Sequence, residues 1–176
     1  NLGRQPAFDQ RVIGWVQRLH QGRRHSSPPE ELVSLTHTLH EQRLLKSKSE
    51  IKAMHQAGRM AAAAHIQLMR QVRAGMNEAE LSASLLYDFH RQGSAPSYLP
   101  IVGAGDNACV LHYIANNQTI RDGDLVLVDA SCKWECYASD ITRCFPANGR
   151  FSAAQQALYE VVLEAQAAAI AKAMPG

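Results

Sequence analysis

Two aspartates, Asp129 and Asp140, are the residues of this sequence best suited to chemistry, and ten residues separate them. A simple hairpin with its turn at residues 134–135 would place the two side chains directly opposite each other, with Cβ atoms about 4.5–5.5 Å apart. Carboxylates that close repel each other, so they share a proton or bind a cation. Divalent cations prefer oxygen ligands. The spacing therefore indicates a metal site, but it leaves open the alternative that both aspartates lie at solvated strand ends.

His112 is the second candidate, because it lies on a strand predicted for residues 108–114. A single histidine on a strand is usually structural. A neutral imidazole close to the carboxylate pair would instead donate to a developing oxyanion or relay a proton. His65 lies on the apolar face of a long helix, and we predict that it is a structural, hydrogen-bonded histidine.

The elements that must position these side chains are strands grouped between helices. Residues 125–128 form an apolar strand, and residues 137–145 are predicted to be its antiparallel partner. Capping boxes, in which a side chain at each end of a four-residue motif bonds a free backbone N–H, begin helices at Ser47, Asn77 and Ser152. This order predicts an α+β fold, with helices packed on one face of an antiparallel sheet.

Apolar residues at helical spacing predict which faces of two of these helices are buried. In the helix that begins at Ser47, the predicted face consists of Ile51, Met54, Gly58, Ala61, His65, Leu68 and Val72. In the helix that begins at Ser152, it consists of Leu158, Val161, Val162, Ala165 and Ala169.

The composition excludes several classes of partner. A net charge of +2 with mixed acids and bases leaves no basic surface for nucleic acid or an anionic membrane. The first residues show no secretory signal, and no apolar run reaches the roughly 18 residues that span a bilayer. The four cysteines are therefore expected to be reduced and the protein to be cytoplasmic. Cys132 and Cys136 have no second ligand pair nearby, which argues against a zinc site.

Several segments resemble the pita-bread metallopeptidases, and among them most closely the Xaa-Pro aminopeptidases, also called aminopeptidase P. Residues 101–113 resemble the strand that presents a histidine to the substrate in that family. Residues 121–129 and 137–146 resemble the segments with the first two metal ligands, and the aspartate spacing matches. The likeness extends over about residues 36–176.

The resemblance implies a role for each candidate residue. Asp129 would chelate one metal ion, Asp140 would bridge two, and His112 would contact the substrate and stabilise the attacked carbonyl. The cofactors would be two divalent ions, with Mn²⁺ expected. The substrate would be a peptide with proline second, hydrolysed before that proline.

The resemblance also implies a domain organisation. Residues 1–46 would be the tail of an N-terminal domain with its linker, and residues 47–176 the first half of the catalytic domain. The family completes its site with a histidine and two glutamates from further along the chain, so we expect an incomplete, inactive fragment. Half of such a fold exposes an apolar face and an open sheet edge, which predicts a homo-oligomer.

Some residues depart from the family pattern, and other functions remain open. Ser131 and Cys136 stand where glycine is usual, and Cys144 stands where threonine is frequent. A prolidase-type Xaa-Pro dipeptidase is the nearest alternative. A non-catalytic pita-bread binding module and a creatine-type amidinohydrolase are the others, and the presence of both Asp129 and Asp140 argues against these two.

Overall fold

The computed structural model describes residues 3–22 and 29–175, and the chain divides into two compact units, Asn1–Ser47 and Lys48–Gly176. The first unit contains helices α1 (Pro6–Gln21) and α2 (Thr36–Leu44), neither of which has a buried residue. The predicted roles of residues 1–46 and 47–176 as separate functional parts stay predictions.

The second unit contains the predicted helices and six short strands. Its helices are α3 (Lys48–Gln71), α4 (Glu78–Arg91) and α5 (Ala153–Ala171). Its strands are β1 (Ala95–Pro96), β2 (Ile101–Ala104), β3 (Leu125–Ala130), β4 (Cys132–Trp134), β5 (Tyr137–Ala138) and β6 (Ile141–Pro146). The capping boxes at Asn77 and Ser152 are both formed as predicted.

The strands form two antiparallel sheets, ordered β2-β3-β6 and β1-β4-β5. Along β3 the side chains alternate, so that Val126, Val128 and Ala130 are buried while the residues between them are partly exposed. The buried side chains join one core with residues of α3 and α4, including Leu68 and Phe89. The predicted α+β class is confirmed, and the partly exposed face of β3 points away from this core.

The predicted buried face of α3 is correct only in its second half. Ala61, His65 and Leu68 are buried, but Ile51 and Met54 are 45% and 42% exposed. The first half packs instead through small side chains such as Ala53 and Ala57. Small residues allow β4 to approach closely, and the thiol of Cys132 donates to the carbonyl of Ala57 at 3.2 Å.

The prediction of a buried face on α5 is wrong. Leu158, Val161 and Val162 are more than 60% exposed, and no residue of this helix is buried. Helical spacing shows which face is apolar, but burial requires a second layer, and the described residues supply none against this face. No helix in the described part of the chain combines the length and apolar character needed to cross a bilayer.

The strand predicted for residues 108–114 is also wrong. The chain leaves β2 through a 3-10 helix, Gly105–Cys109, and then turns, so His112 lies in an exposed turn. The chain folds back tightly here, because a Cβ atom added at Gly103 would lie 2.8 Å from the carbonyl oxygen of Asn107. The apolar residues that suggested a strand are exposed, and Leu111 is the most exposed of them at 85%.

Candidate metal centre

The strand β3 presents Asp129, but the predicted register of its hairpin is wrong. Asp129 pairs with Thr142 rather than Asp140. The turn lies one residue later than predicted, at Glu135 and Cys136, whose φ angles are 46° and 69°. The two positive φ angles are those of a type I′ turn, which needs two left-handed residues, and a bulky tryptophan suits that conformation poorly. Trp134 consequently ends β4 and pairs with Tyr137.

The corrected register still brings the two aspartates together. Asp140 precedes Thr142 by two residues, which makes it a diagonal neighbour of Asp129 on the same face of the sheet. The hydroxyl of Tyr98 donates to Oδ1 of Asp129 and lies 2.9 Å from Oδ1 of Asp140. Both carboxylates therefore reach a single oxygen atom, although their backbones do not pair directly.

Tyr98 is a residue of this site that the sequence analysis missed. It lies between two short strands, and no spacing or motif distinguishes it. Burial raises the pKa of its hydroxyl well above the ordinary value, and the hydrogen bonds to Asp129 and Asp140 raise that pKa further. Tyr98 is therefore a proton donor, but its single proton serves two carboxylates. The negative charge that the carboxylates of Asp129 and Asp140 retain favours a cation at this place.

A network of hydroxyl groups borders the aspartate pair. Ser131 is fully buried, donates to the carbonyl of Ser139 and shares a hydrogen bond with Ser97. The backbone N–H of Ser139 donates in turn to the carbonyl of Cys132 at 2.9 Å. The hydroxyl of Ser131 is thus satisfied inside the hairpin next to Asp140.

Asp129 and Asp140 are the kind of ligand that a hard divalent cation prefers, but two ligands are too few to hold one. Two carboxylates offer only oxygen ligands, which such ions prefer. Within residues 3–22 and 29–175, no group of three or more histidine, cysteine, aspartate or glutamate side chains is arranged to hold a metal. Asp129 and Asp140 could therefore supply part of a metal site, and further ligands would have to join them.

The structure does not bring His112 into contact with the aspartate pair. Its side chain is exposed, its φ of 56° is left-handed, and no hydrogen bond among the described residues joins it to Asp129 or Asp140. Few non-glycine residues adopt this conformation, so the contacts of the surrounding loop must hold the backbone at His112.

The contacts that hold the loop around His112 converge on Glu78, which the sequence analysis also missed. This side chain is fully buried at the first turn of α4. It accepts hydrogen bonds from four donors: the backbone N–H of Ala104 at 2.8 Å, the side-chain amide of Asn107 at 3.1 Å, the hydroxyl of Tyr113 at 2.8 Å and the backbone N–H of Gln118 at 3.0 Å. Burial acts to raise the pKa of Glu78, but these four hydrogen bonds outweigh it and lower the pKa below its ordinary value.

The predicted structural role of His65 is confirmed. It is 2% exposed, and its Nδ1 atom lies 2.9 Å from the carbonyl oxygen of Ala61, one turn earlier in α3. The other ring nitrogen has no hydrogen-bond partner among the described residues. His65 has no contact with the aspartate pair in that part of the chain.

The chain matches a family model and several curated proteins. The model described as metallopeptidase family M24 matches residues 52–176. An Xaa-Pro aminopeptidase of Escherichia coli (strain K12) is 42% identical over 163 residues, which are 92% of this chain and 37% of that protein. An Xaa-Pro aminopeptidase of Haemophilus influenzae is 46% identical over 147 residues, 83% of this chain and 34% of that protein. The chain thus spans less than half the length of these relatives.

Solved structures give the same result for the fold. Aminopeptidase PepP of Pseudomonas aeruginosa superposes with a TM-score of 0.90 at 50% identity, covering 99% of this chain and 40% of that one. A zinc-substituted aminopeptidase P of Escherichia coli in complex with product gives a TM-score of 0.89 at 40% identity, with the same coverage. The pita-bread fold implied by the sequence resemblance is confirmed.

Proposed function

This chain belongs to metallopeptidase family M24, and from that membership we propose that the protein is a metal-dependent aminopeptidase which hydrolyses the bond before a proline at the second position of a peptide. The observation that carries the proposal is the convergence of Asp129 and Asp140 on the hydroxyl of Tyr98, on the sheet face that points away from the core. Relatives named Xaa-Pro aminopeptidase support the proline specificity.

In this proposal Asp129 would be a ligand of one divalent ion, and Asp140 would be a ligand shared by both. Bound divalent ions would polarise the peptide carbonyl and make water a nucleophile near neutral pH. Tyr98 holds its proton between the two carboxylates and so fixes the direction of both. His112 faces the substrate and donates to the carbonyl oxygen as negative charge develops there.

The finer features of the protein are proposals of the same kind. We assign Mn²⁺ to the site because both ligands in this chain are carboxylates, which suit hard cations. The four cysteines are free thiols, and this supports a cytoplasmic location. The exposed apolar face of α5 supports a homo-oligomer, since such faces are usually covered by a partner. Nucleic acid and membrane are not expected as partners.

The decisive experiment uses the protein purified as its host produces it. After loading with Mn²⁺, it is assayed on a tripeptide with proline second, on the matching tripeptide with alanine second, and on an Xaa-Pro dipeptide. We expect release of the first residue from the proline tripeptide and little from the alanine one. Cleavage of the dipeptide alone would replace the aminopeptidase with a prolidase-type dipeptidase.

One observation favours a second function, a non-catalytic binding module. The described residues provide two metal ligands and no third, so the 176-residue chain by itself is proposed to be inactive. Calorimetric titration of the natural protein with Mn²⁺ separates the two functions. Tight binding of two ions supports the enzyme, whereas the absence of binding together with retained affinity for proline peptides supports the module.

A further inference from the structure

Glu78 is a buried charge that the proposed reaction does not use. It begins α4, is fully buried, and accepts only hydrogen bonds from residues 104–118. Burying a carboxylate is costly unless its oxygens are satisfied. A neutral side chain would fill the same space at lower cost if packing were the only requirement. The carboxylate therefore has a task in the loop that it contacts.

The four contacts of Glu78 lie on both sides of His112. Ala104 and Asn107 precede it, and Tyr113 and Gln118 follow it, so one carboxylate contacts the loop on both sides of His112. Tyr113 is the residue directly after His112.

Apolar packing does not hold this loop. Leu111 is 85% exposed and Ile114 is 69% exposed, so the side chains around His112 are not anchored in the core. Asn116 fixes the far end, because its amide accepts from the N–H of Val102 at 2.9 Å and donates to the carbonyl of Pro100 at 2.8 Å. The side-chain hydrogen bonds nearest to His112 in sequence are those of the Tyr113 hydroxyl, which bonds Glu78, Asn107 and Asn117.

The backbone of His112 lies in a turn whose last residue is Tyr113. Its φ is left-handed, which is uncommon for a residue with a Cβ atom, and the N–H of Tyr113 donates to the carbonyl of Val110 across it at 3.3 Å. The hydrogen bond from the Tyr113 hydroxyl to Glu78 therefore fixes the residue that closes this turn. We propose that Glu78 is the positioning residue of His112, whose buried carboxylate fixes the loop and thereby the direction in which the imidazole projects. This inference rests on the substrate-facing role of His112 given under the proposed function.

A carboxylate is needed at Glu78 because all four of its partners in the loop donate a hydrogen bond to it. Ala104 and Gln118 donate through backbone N–H groups that cannot turn round, and each bonds a different oxygen of Glu78. The isosteric change Glu78→Gln must direct its NH₂ group at one of these two N–H groups. The loop then loses a contact on one side of His112 without any change in volume.

The experiment measures kcat and KM on a proline tripeptide for the manganese-loaded protein as its host produces it. We expect Glu78→Gln to lower kcat about 10- to 100-fold with little change in KM, since a small displacement of a catalytic group has effects of this size. In a background that already carries His112→Ala, the same change should lower kcat no further. Glu80→Gln is the matched control, because Glu80 is exposed in the same helical turn and its carboxylate accepts from the backbone N–H of Asn77 rather than from the loop.

A second readout does not depend on activity. In the metal-free protein, hydrogen–deuterium exchange of residues 105–118 should become at least about tenfold faster in Glu78→Gln, because local opening sets exchange rates. Exchange within β3 should accelerate no more than the loss of global stability requires, and Glu80→Gln should change neither segment.

The outcomes separate this inference from the proposed function. If Glu78→Gln lowers kcat equally with and without His112, or if loop exchange does not change, Glu78 does not position His112. If His112→Ala keeps wild-type kcat, the proposed role of His112 fails, and the exchange measurement alone decides whether Glu78 fixes the loop. Should Glu78→Gln fail to fold, Tyr113→Phe leaves the carboxylate in place and removes the hydroxyl that bonds Glu78, Asn107 and Asn117. We then expect a smaller fall in kcat that disappears in the His112→Ala background, and a fall that persists there would overturn the proposal.

Discussion

The hairpin that carries Asp129 and Asp140 is held by backbone pairing above a buried core, whereas the loop that carries His112 is held by side-chain hydrogen bonds. Strand β3 pairs with β2 on one side and β6 on the other, and its alternate residues are buried. The loop has exposed apolar side chains and is held mainly by the carboxylate of Glu78 and the amide of Asn116.

This difference concerns how each region responds to a single substitution. The paired strand β3 is stabilised by many backbone hydrogen bonds and core contacts, so a change of one exposed side chain leaves the strand in place. A loop that converges on one carboxylate loses several contacts at once. We therefore expect changes at the hairpin to affect metal binding without affecting the fold, and changes at Glu78 to affect the loop locally.

The largest effect is expected from Asp140→Asn in the hairpin. The change removes one of two negative charges while the strands stay paired, so bound metal should be lost and turnover of a proline tripeptide should fall by more than about 100-fold. Metal content by mass spectrometry and circular dichroism measure the two effects separately.

The control for this change is Asp122→Asn, which removes an exposed carboxylate that precedes β3. It should keep both metal and activity. Wild-type turnover by Asp140→Asn would exclude a bridging role for Asp140.

The second effect is on stability and concerns Glu78. Its hydrogen bonds outweigh burial and lower the folded-state pKa, so its ionised form stabilises the fold above the unfolded glutamate pKa of about 4.3. This stabilisation is lost as the pH falls through the lower folded-state pKa. Glu78→Gln does not titrate there, and it should reduce the free energy of unfolding at neutral pH by about 1–3 kcal/mol.

Urea unfolding over a range of pH values tests this expectation. The difference between wild type and Glu78→Gln should be largest at neutral pH and should shrink below the usual range of glutamate titration. The exposed residue Glu80 provides the comparison through Glu80→Gln. A difference that is constant down to strong acid would mean that the charge of Glu78 contributes nothing to the loop.

A smaller effect is expected from Tyr98→Phe at the aspartate pair. The change removes the hydroxyl that both carboxylates approach and leaves their repulsion uncompensated. Because the pair is partly exposed, we expect a loss of about 1 kcal/mol in the metal-free protein. Added Mn²⁺ should remove most of this loss. Thermal unfolding with and without metal measures both quantities, and an equal loss in the two conditions would contradict a role of Tyr98 between the carboxylates.

The sequence predicted the regions that depend on local patterns. The apolar strand at residues 125–128, the capping boxes of α4 and α5, and the α+β order were all predicted, because each arises from neighbouring residues. The aspartate pair was also readable, although its register was not, because the pairing depends on which two residues adopt the left-handed turn.

The remaining features depend on residues far apart in the chain. Glu78 lies 35 positions from Tyr113, and Tyr98 lies 31 positions from Asp129, so no local spacing predicts either contact. The strand predicted around His112 was wrong because its apolar residues suggested burial, which the described structure does not provide. Apolar spacing on α5 failed for the same physical reason.

The smallest effect is expected from Cys136→Gly in the turn of the hairpin. It tests whether the left-handed conformation of Cys136 costs stability. Cys136 has a φ of 69°, in the left-handed region that costs a residue with a Cβ atom about 1–2 kcal/mol. Cys136→Gly removes this cost but increases the entropy of the unfolded chain, so we expect a net gain of about 0.5 kcal/mol or slightly more.

Urea unfolding under reducing conditions measures this gain, and bound metal should not change. Cys109→Gly is the matched control, because Cys109 is also exposed but lies in the 3-10 helix, where its conformation is ordinary. The control should destabilise the protein by about 0.5–1 kcal/mol, since glycine there gains no relief of strain. If both changes destabilise equally, the left-handed conformation of Cys136 has no cost that glycine relieves.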